Sequence, residues 1–254
     1  MSDYRYGHFV WRECMTHDVA AAQAFYQAVF NWSATAMPMP GMGFDYHMHG
    51  VGEQMQGGMV ALDPNDPNTE HVPPHWMPYV SVPDVAATAA LAVEAGGKVA
   101  VGPMDIGVGI FAVIGDPQGG WITAWHSKDG DGEIVPPTQH GAFCWDQLNT
   151  TDVDAAIAFY TKVFGWTTGA FAGMTTFEAG GQAISHVSAT LPGMPTHWLS
   201  SVVITQLGDT LGTVEAHGGK VLMSGMPIPG VGTVGAFADP QGAVLAVLEP
   251  EARG

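Results

Sequence analysis

Two histidines and one glutamate are the residues whose types and spacing most resemble a chemical site. His47 and His49 are one residue apart on a segment that reads as a strand, so both side chains should lie on one face, close enough to chelate a metal ion. Glu53 follows shortly after them. Glu13, if buried beside a tryptophan, would favour its neutral form and suit general acid or base work. The alternatives are packing or solvent-facing histidines and an exposed glutamate.

Other catalytic patterns are missing from the sequence. His75 and His197 each precede a tryptophan in equivalent segments, which suits a structural hydrogen bond more than catalysis. No Ser-His-Asp order, P-loop or dinucleotide fingerprint is present. The sequence therefore assigns no catalytic residue.

The charge of the chain restricts its partners. Acidic residues outnumber basic ones 24 to 7 over 254 residues, which gives a net charge of −17. Such a field repels nucleic-acid phosphates and anionic lipid, so neither is an expected partner. Apolar runs of membrane-spanning length and a secretory signal pattern are both lacking, which predicts a soluble, cytoplasmic protein. The oligomeric state is left open.

The elements that must position these residues come from a duplicated segment. Residues 9–32 (FVWRECMTHDVAAAQAFYQAVFNW) and 143–166 (FCWDQLNTTDVDAAIAFYTKVFGW) share Phe, Trp, Thr, Asp-Val, Phe-Tyr, Val-Phe and Trp at a constant spacing of 134, as from Trp32 to Trp166. Each copy reads as a strand, a capping aspartate (Asp18 or Asp152) and an amphipathic helix. The repeat indicates two related domains.

Further repeats complete the domain organisation. His-Trp at 75 and 197, Gly-Gly-Lys-Val at 96 and 218, and Asp-Pro-Gln-Gly at 116 and 239 recur in the same order. The pattern is β-α-β-β-β, four times over. We predict an α+β fold of two tandem domains, each made of paired βαβββ units that form a cupped mixed sheet. The predicted bounds are 1–126 and 142–254, with the Gly/Pro-rich stretch 127–141 as the linker.

Together these motifs resemble the vicinal oxygen chelate superfamily, which includes glyoxalase I, fosfomycin- and bleomycin-resistance proteins and extradiol dioxygenases. The resemblance covers residues 6 to 249. The residues that carry it are Asp18, Phe25, Tyr26, Phe30, Trp32, Asp152, Phe159, Tyr160, Phe164, Gly165, Trp166 and the two Asp-Pro-Gln-Gly turns. Because this scaffold hosts several chemistries, the resemblance implies a fold and not one reaction.

The resemblance also implies where a metal would bind, on the first, fifth and last strands of a domain. The corresponding positions here are Trp11, Met77 and Thr123 in the first half and Trp145, Leu199 and Ala246 in the second. None is an imidazole, carboxylate or thiolate. We therefore predict no standard metal site and no cofactor.

Strand alternation then predicts what lines the cups. From the implied ligand positions, Phe9, Trp11, Glu13 and Met15 should point inward on the first strand, and Phe143, Trp145 and Gln147 on its repeat. The predicted ligand-binding residues are Trp11, Glu13, Tyr79, Trp121, Thr123, Trp125, Trp145 and Gln147. The first cup should be the larger, more polar and more aromatic one. The alternative is that Trp11 and Trp145 fill the cups as core.

Three functions remain open at this point. The first is a metal-independent small-molecule-binding protein of the glyoxalase/bleomycin-resistance type, with an aromatic or cationic ligand in the first cup. The second is a metal-dependent lyase, isomerase or dioxygenase of the same superfamily, with His47, His49 and Glu13 as non-standard ligands. The third is a structural or partner-binding protein with closed cups.

Overall fold

A computed structural model describes residues 4–39, 45–63, 65–66 and 69–251. The first half of the chain forms, in order, β1 (Phe9–Thr16), α1 (Val19–Phe30), β2 (Ser33–Pro38), β3 (Asp45–Val51), β4 (Gln54–Ala61), β5 (His75–Ser81), α2 (Val85–Glu94), β6 (Lys98–Asp105), β7 (Gly109–Gly115) and β8 (Trp121–Ser127). The second half forms β9 (Phe143–Thr150), α3 (Val153–Phe164), β10 (Thr167–Phe171), β11 (Met174–Ala179), β12 (Gln182–Ala189), β13 (His197–Val203), α4 (Leu207–Ala216), β14 (Lys220–Ile228), β15 (Gly232–Ala238) and β16 (Val244–Pro250). The predicted fourfold βαβββ order is confirmed.

Each half of the chain builds one eight-stranded sheet. The strand orders are β2-β3-β4-β1-β5-β8-β7-β6 and β10-β11-β12-β9-β13-β16-β15-β14. In the first sheet β1 runs parallel to β4 and β5 runs parallel to β8, whereas the hairpin neighbours are antiparallel. The second sheet repeats this pattern. The predicted α+β class and tandem arrangement are therefore confirmed.

The helices begin and end where short-range chemistry requires. Asp18, Asp84 and Asp152 each accept a hydrogen bond from the backbone N–H three residues ahead, at 2.9, 2.9 and 3.0 Å. Helices α1 and α3 end at Asn31 and Gly165, whose φ values of 56° and 68° are left-handed. Asparagine and glycine tolerate this conformation, which explains why the two residues replace each other in the repeat.

The compact packing units do not follow the two halves of the chain. One unit, here the first unit, contains the chain up to Trp11, Met77–Glu133 and Trp145–Leu199. The second unit contains Arg12–Trp76, Ile134–Cys144 and the chain from Ser200 onward. Each unit therefore combines one βαβββ repeat from each half.

Each hydrophobic core likewise contains side chains from both halves of the chain. In the first unit, buried side chains of α2 and α3 pack with strand residues from both halves, among them Val80, Val85, Ala89, Ile114, Ile122, Leu148, Phe159, Tyr160 and Phe177. In the second unit, α1 and α4 do the same with Cys14, Phe25, Tyr26, Phe30, Val202, Leu211, Val214, Phe237 and Leu245. Neither core is complete within one half of the chain.

A buried chain of hydrogen bonds joins the two repeats of the second unit. The indole Nε1 of Trp76 donates to the hydroxyl of Tyr26 at 2.9 Å. That hydroxyl donates to Oδ2 of Asp239 at 3.0 Å. Asp239 opens the Asp-Pro-Gln-Gly turn of the other half, and its second oxygen accepts from the turn's own backbone N–H groups.

The first unit contains the matching chain of hydrogen bonds. Nε1 of Trp198 donates to the Tyr160 hydroxyl at 3.0 Å, and this hydroxyl donates to Oδ2 of Asp116 at 3.0 Å. The His-Trp, Phe-Tyr and Asp-Pro-Gln-Gly repeats are thus three parts of one structural connection. Buried polar groups need such partners because an unpaired one is costly.

The predicted linker is held at both ends. Asp131 accepts hydrogen bonds from the backbone N–H of Arg5 (2.6 Å) and from the hydroxyl of Ser81 (2.8 Å) in the first unit. The carbonyl of Gly141 accepts from Nε1 of Trp32 and Nε2 of Gln56, both at 2.7 Å, in the second unit. Across the described parts of the chain, every helix is too short or too polar to cross a bilayer.

Candidate functional site

The central strands have one face covered by helices and one that is not. On β1, Arg12, Cys14 and Thr16 are buried on the helix-covered face, and Cys14 belongs to the core around α1. Trp11 and Glu13 alternate with them and are half-buried. We call the uncovered sides of the two sheets the first open face and the second open face. Trp11 and Glu13 lie on the first open face, as predicted by alternation.

The alternation fails at the start of the same strand, and the predicted inward position of Phe9 is wrong. Phe9 is buried in the core of the first unit, with ring centroids 5.6 Å from Trp166 and 5.4 Å from Trp198. Phe143 is likewise buried, 5.6 Å from Trp76. In both strands the first and fourth residues are buried, so the period of two is interrupted between them and the first side chain turns to the core.

Within the first unit, Tyr79, Thr123 and Trp125 form a compact group on the first open face. Tyr79 lies opposite Thr123 in the parallel pairing of β5 with β8. The rings of Tyr79 and Trp125 are 6.2 Å apart and inclined by 64°. The Trp125 ring lies across Gly109, where any Cβ would collide with it. This glycine therefore lets the indole lie flat on the sheet.

Thr123 places a buried hydroxyl at the centre of this group. Its side chain has no exposed surface, and its Oγ1 makes no hydrogen bond to any described residue. A buried hydroxyl without a partner costs about 1–3 kcal/mol. A ligand atom or a water molecule that bonded Oγ1 would remove that cost, and it would have to move a covering side chain aside to reach this atom. The group thus combines two aromatic surfaces with one unsatisfied polar atom.

The remaining first-half tryptophans are placed differently. Trp11 is half-buried at the part of β1 that belongs to the first unit. Trp121 lies over Gly115, and Nζ of Lys98 sits 4.8 Å above its ring. Because that cation already covers the indole, Trp121 offers less free stacking surface than Trp125.

Glu13 has a partner that sequence reasoning missed. In the second unit, the hydroxyl of Tyr46 donates to Oε1 of Glu13 at 2.8 Å. Tyr46 lies over Gly58, which pairs with Glu13 across β1 and β4, and a Cβ there would collide with the phenol. The signal in the sequence was the glycine pair 57–58 in a strand, which marks close approach of another group.

The two histidines of the H-x-H motif lie on the helix-covered face. Nδ1 of His47 is 3.4 Å from the side-chain nitrogen of Gln23 on α1. The His49 ring stacks on Trp32 at 4.4 Å between centroids. Glu13 points to the opposite side of the sheet, so the proposed ligand set of His47, His49 and Glu13 is not brought together.

His49 is an unusual core residue. It is fully buried, and burial lowers its pKa to about 3, so the ring is neutral at pH 7. Neither ring nitrogen has a hydrogen-bond partner among the described residues. Its environment is aromatic, with Trp32, Trp76 and Phe143 around it.

The positions where the resemblance implies metal ligands hold residues that do not fit a divalent ion. The positions that the superfamily uses for ligands hold Trp11, Met77, Thr123, Trp145, Leu199 and Ala246. Indole, thioether and alkyl groups are not ligands for hard or borderline divalent ions. Among the described residues, no three or more His, Cys, Asp or Glu side chains are grouped closely enough to hold one.

The second open face is more polar than predicted. Within the first unit, Nε1 of Trp145 donates to Nδ1 of His186 at 2.7 Å. Nε2 of Gln147 donates to Oδ1 of Asn149 at 2.5 Å and to the hydroxyl of Ser188 at 3.1 Å. Alternation could have found Asn149, two residues beyond Gln147, whereas the partners on β12 depend on strand register.

His197 joins this group from β13. Its Nε2 is 3.2 Å from Nδ2 of Asn149, and its Nδ1 donates to the carbonyl of Pro195 at 2.9 Å. Nδ1 of His75 makes the equivalent bond to Pro73 at 2.8 Å. The predicted structural hydrogen bond of both histidines at the connectors is confirmed.

The fold and these sites define a class of protein that the sequence comparison identifies. The sequence model of the Glyoxalase/Bleomycin resistance protein/Dioxygenase superfamily matches residues 5–123 and 140–247. The chain therefore belongs to this superfamily.

Two relatives extend along nearly the whole chain. "Putative glyoxylase CFP32" of Mycobacterium bovis is 32% identical over 256 residues, which cover 98% of this chain and 97% of the relative. "Anthracycline biosynthesis protein DnrV" of Streptomyces peucetius is 28% identical over 270 residues, which cover 98% of this chain and 95% of the relative.

Solved structures agree on the fold. The Mn(II)-bound glyoxalase from Novosphingobium aromaticivorans superposes with a TM-score of 0.61 at 17% identity, over 99% of this chain and 84% of that one. The 2,3-dioxygenase LapB from Pseudomonas sp. KL28 gives a TM-score of 0.58 at 13% identity, over 98% and 92%. At these identities the likeness shows the fold alone.

Proposed function

We propose that this protein binds a small aromatic molecule on the first open face without a metal ion. Tyr79 and Trp125 supply the stacking surfaces, and Thr123 supplies a hydrogen bond. Trp11 adds apolar surface on β1. Sites for small molecules combine mostly apolar walls with a few placed polar groups, and this group has that composition.

The observation that carries the proposal is the buried hydroxyl of Thr123. It has no partner among the described residues, and it lies between two aromatic side chains on the uncovered side of the sheet. A threonine in a purely structural wall would be better replaced by valine, which has the same shape and no unpaired hydroxyl. A ligand that carries a hydrogen-bonding group on an aromatic ring would satisfy both features.

Charge favours neutral or cationic ligands. The net charge of −17 repels anions. The names of two relatives, a glyoxylase and an anthracycline biosynthesis protein, both concern small molecules, and the second points to polycyclic aromatic compounds. Trp121 on β8 is a secondary candidate for ligand contact.

Tryptophan fluorescence tests the proposal directly. Purified protein is titrated with aromatic compounds of one to four rings, both neutral and cationic, including indole, tryptamine and an anthracycline. The expected result is saturable quenching by at least one compound. Its affinity should fall about tenfold or more in Trp125→Ala, and about three- to tenfold in Thr123→Val, because stacking and hydrogen bonds each contribute about 1 kcal/mol or more.

The matched control for loss of an aromatic ring is Phe171→Ala, since Phe171 is exposed on β10 of the other sheet. This variant should bind like the wild type. Absence of saturable quenching with every compound, or equal affinity in Trp125→Ala and wild type, would contradict the proposal. Binding that appears only after a divalent metal is added would favour the metal-dependent enzyme instead.

A further inference from the structure

On the second open face, the hydrogen-bond contacts determine which side-chain atoms donate and which accept. A backbone carbonyl only accepts, so the contact of His197 with Pro195 requires the proton on Nδ1. In the neutral ring, Nε2 is then an acceptor, and the Asn149 amide donates to it. This assignment leaves Oδ1 of Asn149 as the acceptor for Gln147 and Ser188, in agreement with both contacts.

The tautomer of His186 is fixed in the opposite sense. The indole N–H of Trp145 is a donor only, so Nδ1 of His186 must accept it. The proton of the neutral ring therefore lies on Nε2. Burial supports the neutral form, because it lowers the pKa of His186 to about 4. His186 thus offers an N–H donor and carries no charge at pH 7.

The hydrogen-bonding atoms that this network does not use include both acceptors and donors. Gln147 uses both amide hydrogens within the network, and its Oε1 accepts no hydrogen bond from the described residues. Asn149 uses one amide hydrogen for His197 and keeps the second. The Trp145 indole is half-buried beside them. No member of the group is an acid, a lysine or an arginine.

We propose that this group is a second ligand site, specific for a neutral polyhydroxylated ring such as a sugar or the sugar portion of a larger compound. Each sugar hydroxyl can accept one hydrogen bond and donate another, which matches neighbouring donors and acceptors on the protein. The apolar C–H face of such a ring packs on an indole. An anionic ligand would find no lysine or arginine in the group, and a purely aromatic one would leave the amides unpaired.

The site is independent of the aromatic group on the first open face. The two use different strands, β9, β12 and β13 here and β5 and β8 there. Loss of one should therefore leave the other intact. The two proposals can fail separately.

The experiment observes the indole N–H signals of nitrogen-15-labelled protein while neutral monosaccharides and their methyl glycosides are added. The Trp145 signal is assigned by its loss in Trp145→Phe. The expected result is a saturable shift of this signal by at least one neutral sugar, with affinity about tenfold weaker in Gln147→Ala and in Asn149→Ala. Gln182→Ala is the matched control, since Gln182 is exposed at the start of β12. Trp125→Ala should bind the sugar like the wild type.

Three results would overturn the proposal. One is no saturable shift of the Trp145 signal with any neutral sugar at its highest soluble concentration. Another is equal binding of the matching uronic acid or amino sugar, because the site would then not select neutral ligands. The third is unchanged affinity in Gln147→Ala and Asn149→Ala when their remaining indole signals show the native fold.

Discussion

At the scale of single residues, His49 shows how the two halves of the chain diverged. Strand register makes Phe177 its counterpart, because His49 pairs with Ala34 as Phe177 pairs with Thr168. Phe177 packs on Trp166 at 5.2 Å, in the place where His49 stacks on Trp32.

The substitution His49→Phe should therefore stabilise the protein at pH 7 by about 1 kcal/mol, since it removes two unpaired buried nitrogens and Gly57 leaves room beneath the ring. It should also change the response to acid. The folded-state pKa of about 3 lies below the unfolded value of 6.5, so the unfolded chain takes up the proton first and stability is lost as the pH falls below 6.5.

Between pH 6.5 and pH 5 this histidine should cost the wild type about 2 kcal/mol, a loss that His49→Phe lacks. Urea unfolding of both proteins at pH 7 and pH 5 gives the comparison. His71→Phe is the control for a histidine lost from the surface. Parallel pH dependence in wild type and His49→Phe would show that His49 is not buried in a neutral form.

At the scale of elements, the helix caps reveal one weak point. Helix α4 begins after Gln206, whose φ of −145° and ψ of 112° match Asp84, at φ −146° and ψ 108°. Gln206 makes no side-chain capping hydrogen bond, whereas the N–H of Leu207 donates to Glu249 at 2.6 Å. The backbone at Gln206 therefore has the geometry of a capping residue, but the glutamine side chain is too long to make the capping hydrogen bond.

Gln206→Asn should stabilise the protein by about 1 kcal/mol through a bond to the N–H of Asp209. Asparagine is chosen over aspartate because Glu249 lies at the same helix end. Gln206→Ala is the control and should leave stability unchanged. Thermal or urea unfolding compares the three proteins, and equal stability of the Asn and Ala variants would contradict this account of the helix start.

The elements also show what a sequence can and cannot predict. Asp18 and Asp152 identify the helix starts because capping is local, and the period of two correctly predicts the face of Trp11 and Glu13. The same period fails at Phe9, where the strand is irregular. His186 was missed because its contact with Trp145 depends on the register of two strands that are far apart in the chain.

At the scale of the whole molecule, the sequence alone does not show which copy of a repeated motif contacts which. Tyr26 could bond either Asp-Pro-Gln-Gly turn on sequence alone, since both turns are the same. The structure pairs it with Asp239 of the other half, and pairs Tyr160 with Asp116. Each hydrophobic core is likewise built from side chains of both halves.

Either half alone should therefore fail to form a folded monomer. Residues 1–133 and 134–254, expressed separately, each lack about half of both cores. Circular dichroism and sedimentation should show either no cooperative unfolding or self-association, in which Asp116 substitutes for Asp239. Mixing the halves should restore a cooperative transition. A half-chain that unfolds cooperatively as a monomer would contradict the exchanged packing.

The measurement that tests the central claim most directly is the affinity of the protein for the aromatic compound that binds it best. The protein is first stripped of metal with EDTA, and the affinity is measured before and after Mn(II), Ni(II), Zn(II) or Fe(II) is added. Because Tyr79, Thr123 and Trp125 supply no imidazole, carboxylate or thiolate, calorimetry should give dissociation constants that agree within about twofold in every condition. Binding that is lost with EDTA and restored by one of these ions would contradict the proposed metal-independent site.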